Sequence, residues 1–301
     1  MRKLTQVSEN YTLTRVPGTW TGHWTDLSGS TGTTVILFPE GARGGAMILG
    51  PASGTRQTGV FDPASLPRDI HGVCFSGGSA FGLRAADGVT AFLASRGIGF
   101  DSGYGCVPIV PTAILFDLAI GQTRPNAESG RAAAASANQN IVPEGRVGAG
   151  AGATVAKWTG KRLPGGLGTR AADLEEWTIG ALAVVNAVGC VKDPESGDWI
   201  VGGTEPGVAS LKPAGDWANN TTLVAVATSA PLDRGQATIL ARMASAGVAR
   251  TIFPAFTPFD GDVVFAFSTS KAPPVSQDYL ARLGDLAARL VAQSVIRAVK
   301  P

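Results

Sequence analysis

Residues 179–191 read Ile-Gly-Ala-Leu-Ala-Val-Val-Asn-Ala-Val-Gly-Cys-Val, a long uncharged run rich in β-branched residues that suits a buried strand. It sets the tone for the chain: the interior must be rich in sheet. Residues 35–38 and 45–49 are shorter apolar runs bounded by Gly and Pro, which predicts two strands joined as a hairpin around residues 39–43. Residues 70–75 read as a strand, 76–79 as a turn, and 80–95 as a helix with Leu83, Ala86, Phe92 and Leu93 on one buried face. Strands are expected again at 223–228 and 263–268. A helix is expected from about Arg234 to Ala246 around Ile239, Leu240 and Met243, and a last one after Ser276, with Leu280, Leu283, Leu286, Leu290 and Ile296 largely on one side. Helices and strands are intermixed, so the class is α/β or α+β, a layered sheet sandwich with helices outside.

At 301 residues and 44% hydrophobic content the chain can bury a large core, and a single domain is expected over 1–301. Only 16% of residues are charged and 40 are glycine, which favours association into an oligomer. A formal charge of +2, with scattered basic residues, gives no reason to expect nucleic acid or an anionic membrane as partner. No signal-peptide core precedes Tyr11 and no stretch approaches the roughly 18 apolar residues of a membrane span, so a cytoplasmic protein is expected. Cys74, Cys106 and Cys190 lack the short spacings of a zinc site or redox pair.

The segment Asn219-Asn220-Thr221-Thr222-Leu223 stands immediately before a buried strand. A hydroxyl residue so placed can attack the carbonyl behind it; an N-to-O acyl shift and hydrolysis then free its own amine. With an α-amine of pKa about 7.7 to 8.0, Thr221 would hold nucleophile and base together. Only His23 and His71 are available for a histidine-based alternative, which weakens that reading. On spacing alone the segment reads first as a turn leading into a strand, and the nucleophile reading needs support from elsewhere in the chain.

Three further places complement an N-terminal threonine. Asp260-Gly261-Asp262 could hold and orient an ammonium; a hairpin turn with solvated carboxylates, or a Mg²⁺ site, are the other readings. Lys157 ends the small-residue run 148–157 and would be partly dehydrated there, or would simply reach into water from a strand end; a phosphate loop is disfavoured for want of Gly-Lys-Ser/Thr. Asn186, inside the apolar run, could donate to an oxyanion or satisfy nearby backbone. Gly77-Gly78-Ser79-Ala80-Phe81-Gly82 fits tight packing at a helix start better than a nucleotide turn.

Several blocks together carry a resemblance: Val16-Pro17-Gly18, Gly22-His23-Trp24-Thr25-Asp26, Val35-Ile36-Leu37-Phe38-Pro39-Glu40-Gly41-Ala42, Gly54-Thr55-Arg56-Gln57-Thr58, Ser76-Gly77-Gly78-Ser79-Ala80-Phe81-Gly82-Leu83, Val110-Pro111-Thr112-Ala113-Ile114-Leu115-Phe116-Asp117 and 148–157. The chain resembles the L-aminopeptidase/D-esterase family of self-cleaving hydrolases, and its Asn220-Thr221-Thr222 junction is similar to that of the nylon-oligomer hydrolase branch.

The resemblance implies a four-layered α/β/β/α sandwich of the type shared with ornithine acetyltransferases, and cleavage between Asn220 and Thr221 into fragments 1–220 and 221–301. It also implies tetramers of cleaved protomers, a short peptide or amide-oligomer substrate, and neither cofactor nor metal. Thr221 would be the nucleophile, Lys157 and Asn186 would surround it, and Asp260 and Asp262 would orient its amine. Phe116 departs from the branch, where a tyrosine is expected. A self-cleaving acyltransferase and a non-catalytic small-molecule-binding homologue are the alternatives.

Overall fold

The computed structural model describes residues 10–26, 28, 30–67, 69–203 and 220–300. Its principal strands are β1 (Trp20–Thr25), β2 (Gly32–Ile48), β3 (Gly54–Arg56), β4 (Ile70–Ser76), β5 (Thr112–Ile114), β6 (Gly166–Leu174), β7 (Trp177–Asn186), β8 (Thr221–Thr228) and β9 (Val263–Ser268). They hydrogen-bond in the order β6-β7-β8-β9-β2-β4-β5-β3, with β1 beside β2. Neighbours are antiparallel except β8 with β9 and β4 with β5. The helices are α1 (Ala85–Ala94), α2 (Ala127–Ala135), α3 (Arg234–Thr251) and α4 (Gln277–Val299).

One long strand makes this ladder into two facing sheets. The first half of β2 pairs with β1 and β4, and its second half pairs with β9. Between them the register slips from Leu37 to Ala42, where Gly41 takes φ 74°, a conformation open to glycine at little cost. The expected hairpin around 39–43 is therefore corrected: the chain bends across this bulge without reversing, because each half has its own partner strand.

Side-chain alternation then produces three cores and four layers. Leu182 and Val184 of β7, with Leu223 and Ala225 of β8, face the gap between the sheets, packed with Phe38, Phe61, Phe75, Phe265 and Phe267. Ala181, Ala183, Val224 and Val226 face outward under α3 and α4, against Leu240, Leu283 and Val291. On the other side Val35, Leu37 and Cys74 pack beneath Val89 and Leu93 of α1 and Ala133 of α2. Strands buried on both faces explain why 179–186 and 223–228 read as unbroken apolar runs.

Several expected boundaries shift. The run 179–191 divides: β7 ends at Asn186, and Cys190–Lys192 belongs to a separate three-stranded sheet with Trp199–Val201 and Ile252–Phe253. The helix expected over 80–95 opens as a 3-10 turn, Ser79–Arg84, before α1, with Gly82 pressed so closely on Gly77 that a Cβ there would lie 1.9 Å from its carbonyl oxygen. α3 continues to Thr251, whereas β9 matches its predicted span. Ser276 caps α4 by accepting the Tyr279 N–H at 3.2 Å.

α1 and α2 cross at glycine on both sides. A Cβ on Gly88 would lie 1.7 Å from the Ala127 carbonyl oxygen, and one on Gly130 would lie 1.8 Å from that of Ala85. Backbone atoms cannot yield as a flexible side chain would. Gly88→Ala is therefore expected to lower stability by about 1–3 kcal/mol through overpacking, read as a lower urea midpoint at unchanged slope.

Candidate active site

The site forms where β7, β8 and β9 meet at one end of the sandwich. β8 begins at Thr221, and Asn186 at the end of β7 lies opposite it in antiparallel register. Thr221 shares side-chain parity with Leu223 and Ala225, and Asn186 with Leu182 and Val184, so both belong to the face turned toward the gap between the sheets. Thr221 is only 4% exposed. Asn219 lies outside the described residues.

The parallel pairing of β8 and β9 extends backward to a bridge between Asn220 and Asp260. There the Gly261 N–H donates to the Asn220 carbonyl oxygen at 2.9 Å. The same oxygen accepts the Thr221 hydroxyl at 2.5 Å. Gly261 is fitted closely to this hydroxyl, since a Cβ on it would stand 2.8 Å from Thr221 Oγ1. The segment 260–262 is itself clamped by the chain just beyond β2: Leu49 and Gly50 donate backbone N–H to the Asp262 carbonyl at 2.9 and 3.1 Å, and Ala52 donates to that of Asp260 at 3.0 Å. It is thus a bend feeding a parallel strand, and the solvated-hairpin alternative for Asp260-Gly261-Asp262 does not describe it.

Both carboxyl groups are buried beside the junction, at 2% exposure for Asp260 and 3% for Asp262. Asp262 Oδ1 accepts the Thr222 N–H at 2.5 Å and Oδ2 accepts that of Phe256 at 3.3 Å; Asp260 Oδ2 accepts the Thr257 N–H at 2.7 Å. Burial pushes both groups above the usual carboxylate range, and the neighbouring Asp260 charge pushes Asp262 further. Two desolvated acids sharing one small region favour a cation between them.

Lys157 supplies the other polarity. Ala156 takes a left-handed conformation at φ 61° and starts a 3-10 turn, Lys157–Thr159, so the lysine side chain turns back onto the strands. Its Nζ donates to the Asn186 carbonyl and to Asn186 Oδ1, each at 3.0 Å. Burial and then the Arg162 charge bring this amine down from 10.5 to about 7, while Asp260 pulls in the opposite direction. Asn186, fully buried, also accepts the Thr154 N–H at 2.9 Å and gives its amide N–H to the Phe116 carbonyl at 3.0 Å.

All five residues singled out in the sequence, Thr221, Lys157, Asn186, Asp260 and Asp262, therefore share one buried neighbourhood. Three contributors were not foreseen: the Gly261 N–H, the Thr154 N–H and the Phe116 carbonyl. These act through the backbone, which side-chain chemistry does not advertise; the glycine between two acids was the one signal available. Phe116 lacks a phenol, but its carbonyl oxygen still takes part. The two histidines stand elsewhere: His23 Nδ1 lies 3.0 Å from Thr34 Oγ1, with burial lowering its pKa to about 4, and His71 Nδ1 accepts the Ile109 N–H at 3.2 Å. Among the described residues no group of His, Cys, Asp and Glu is arranged to hold a metal, and no helix is long and apolar enough to cross a membrane.

Comparison with known proteins bears on the family and the fold. A model described as peptidase family S58 matches residues 11–300. An uncharacterized aminopeptidase of Mycobacterium tuberculosis is 38% identical over 286 residues, covering 85% of this chain and 81% of its own. A 6-aminohexanoate-oligomer endohydrolase of Kocuria sp. is 30% identical over 312 residues, covering 94% and 84%. Among solved structures, the L-aminopeptidase D-Ala-esterase/amidase of Ochrobactrum anthropi, a variant of the Ntn hydrolase fold, superposes with a TM-score of 0.74 at 20% identity, covering 96% of this chain and 85% of that one. A Burkholderia sp. beta-aminopeptidase gives 0.71 at 23%, covering 96% and 86%.

The buried lysine has a measurable signature. Folding lowers its pKa, so the unfolded chain holds one more proton between about pH 7 and 10.5, and this group makes stability rise with pH across that window. Below about pH 7 both states carry the proton and the destabilisation is constant. Lys157→Met should remove that rise, so that its stability gain over the wild type is largest below pH 7 and shrinks toward pH 10.5; urea unfolding at stepped pH reads it.

Proposed function

This chain belongs to peptidase family S58 and is a hydrolase of peptide or amide bonds, and we propose that it becomes active by cutting itself between Asn220 and Thr221. The observation that carries this reading is the double hold on the Asn220 carbonyl oxygen by the Gly261 N–H and the Thr221 hydroxyl. The hydroxyl oxygen thereby stands beside the carbonyl carbon it would attack, and a backbone donor is in place for the negative charge that develops. Attack converts the peptide bond into an ester on Thr221 Oγ1 and releases its nitrogen. Water then hydrolyses the ester, leaving Asn220 with a carboxylate and Thr221 with a free α-amine.

That amine is the base of the following cycle. It takes the proton from Thr221 Oγ1 as the oxygen attacks a substrate amide, and passes it to the departing amine; water completes the turnover by hydrolysing the acyl-threonine ester. Asp262 and Asp260, both buried beside the junction, would hold the α-ammonium when it is protonated. Lys157, with a pKa near neutrality, stabilises negative charge without keeping a strongly hydrated cation in the site, and Asn186 positions it. The Gly261 N–H serves as oxyanion donor, with Asn186 as a second one if its amide turns from Phe116. The fragments stay joined after cleavage because β8 and β9 of the second are inserted between β7 and β2 of the first.

Short peptides or amide oligomers are the proposed substrates, in keeping with relatives named as aminopeptidase and 6-aminohexanoate-oligomer endohydrolase. The low charge content supports assembly of cleaved protomers into an oligomer, which we take to be a tetramer. Intact mass and amide turnover of wild type and Thr221→Ala test the reading together. Wild type is expected to give two masses and activity; Thr221→Ala is expected to give one mass and at least a thousandfold lower turnover. An acyl product that forms only with an added amine acceptor would point to acyl transfer.

A further inference from the structure

Alternation along β1 sends its side chains to two different places. Gly22 meets α2, where a Cβ on it would lie 2.1 Å from the Ala133 carbonyl oxygen. Thr21 and His23 point the other way: their register partners on β2 are Ile36 and Thr34, and Ile36 belongs to the core between the sheets. β1 lies beside β2 off the main ladder, so this face ends at the side of the sandwich, opposite the chain of 138–147. A cavity of about 380 Å³ lies there, walled by Thr21 and His23 from β1 and by Ile141, Val142, Pro143 and Val147 from the chain that passes it. That volume is in the range of small-molecule sites. The cavity reaches the surface at Ile141, which is 41% exposed, and none of the groups around Thr221 lines it.

Two buried polar atoms of these lining residues have no hydrogen-bond partner among the described residues: Thr21 Oγ1, on a residue only 5% exposed, and His23 Nε2. The backbone of Thr21 is fully paired with Asn138, at 2.9 and 3.2 Å, so only its hydroxyl is left over. The histidine proton can be placed. Thr34 Oγ1 already accepts the Ala149 N–H at 3.0 Å, and the acceptor in reach of its own proton is His23 Nδ1, also at 3.0 Å. Burial keeps the ring neutral, so its one proton sits on Nε2 and the cavity wall gains an N–H donor without an acceptor.

Unpaired buried polar groups are rare in folded proteins, and two in one wall call for a molecule that completes them. The rest of the lining sets its chemistry. No charged side chain lines the cavity among the described residues, so neither a carboxylate nor an ammonium would find a counter-charge there on leaving water. An uncharged amide meets both needs at once. Its oxygen accepts from His23 Nε2–H, its N–H donates to Thr21 Oγ1 two residues away on the same face, and its alkyl part lies on Ile141, Val142 and Pro143.

We propose that this cavity is a second small-molecule site, selective for an uncharged carboxamide held between His23 Nε2–H and Thr21 Oγ1. It is separate from Thr221 and depends neither on self-cleavage nor on turnover.

The chain has only two histidines, so ring-nitrogen NMR of the full-length protein watches the site directly, with His71 as internal control. Butyramide is the probe, and butyrate and butylammonium are its charged counterparts. Butyramide should move the His23 Nε2 resonance saturably, on the order of millimolar concentration, and leave His71 unmoved, equally in wild type and Thr221→Ala. Butyrate and butylammonium should bind about tenfold more weakly or worse. Thr21→Val removes the unpaired hydroxyl without breaking a hydrogen bond seen in the structure, so the urea midpoint should hold or rise while butyramide binding weakens about fivefold or more. A His23 signal without a saturable response to butyramide, as a cavity holding water only would give, overturns the proposal. So does equal binding of the three probes, or butyramide binding that is undiminished in Thr21→Val.

Discussion

The carbonyl oxygen of Asn220 is the point on which the structure turns. It is held by the adjacent hydroxyl of Thr221 and by a backbone donor from Gly261, and the second contact follows from the parallel pairing that carries β8 and β9 back to the Asn220–Asp260 bridge. Parallel pairing is essential here. A tight hairpin would have placed the Asp260-Gly261-Asp262 bend at a solvated tip, whereas a parallel neighbour delivers it to the start of β8, buried and clamped by the segment that follows β2.

The two-sheet architecture sets the electrostatics of that point. Bending β2 across its bulge at 38–41 lets one strand serve both sheets, and the space between them is filled with phenylalanine. Groups that reach the end of this gap lose water. Lys157 is brought down to about 7 and Asp262 up to about 7, and burial raises Asp260 in the same direction as Asp262. Such an arrangement costs folding energy, and groups kept at that cost are characteristic of chemical sites.

Much of this could be read from the chain. β-branched and apolar runs located β7, β8 and β9, because strands covered on both faces admit few polar residues. The residues around Thr221 were legible through their chemistry: an amide in an apolar run, a lysine after a small-residue stretch, two acids around a glycine. What escaped is equally physical. α2, Ala-Glu-Ser-Gly-Arg-Ala-Ala-Ala-Ala, has no large apolar stripe because it packs through glycine and alanine; its start is fixed by the Asn126–Ser129 capping box. The bulge of β2 imitates a hairpin in sequence, since Pro and Gly mark both. Contributions from Gly261, Thr154 and Phe116 come from peptide groups, whose positions depend on register.

The central claim is that the Asn220–Thr221 bond is the one the fold is built to break. N-terminal sequencing of purified protein that turns over an amide tests it most directly. Two starts are expected in equal amounts, one of them reading Thr-Thr-Leu-Val-Ala. Fully active material showing no chain that begins at Thr221 would contradict the account.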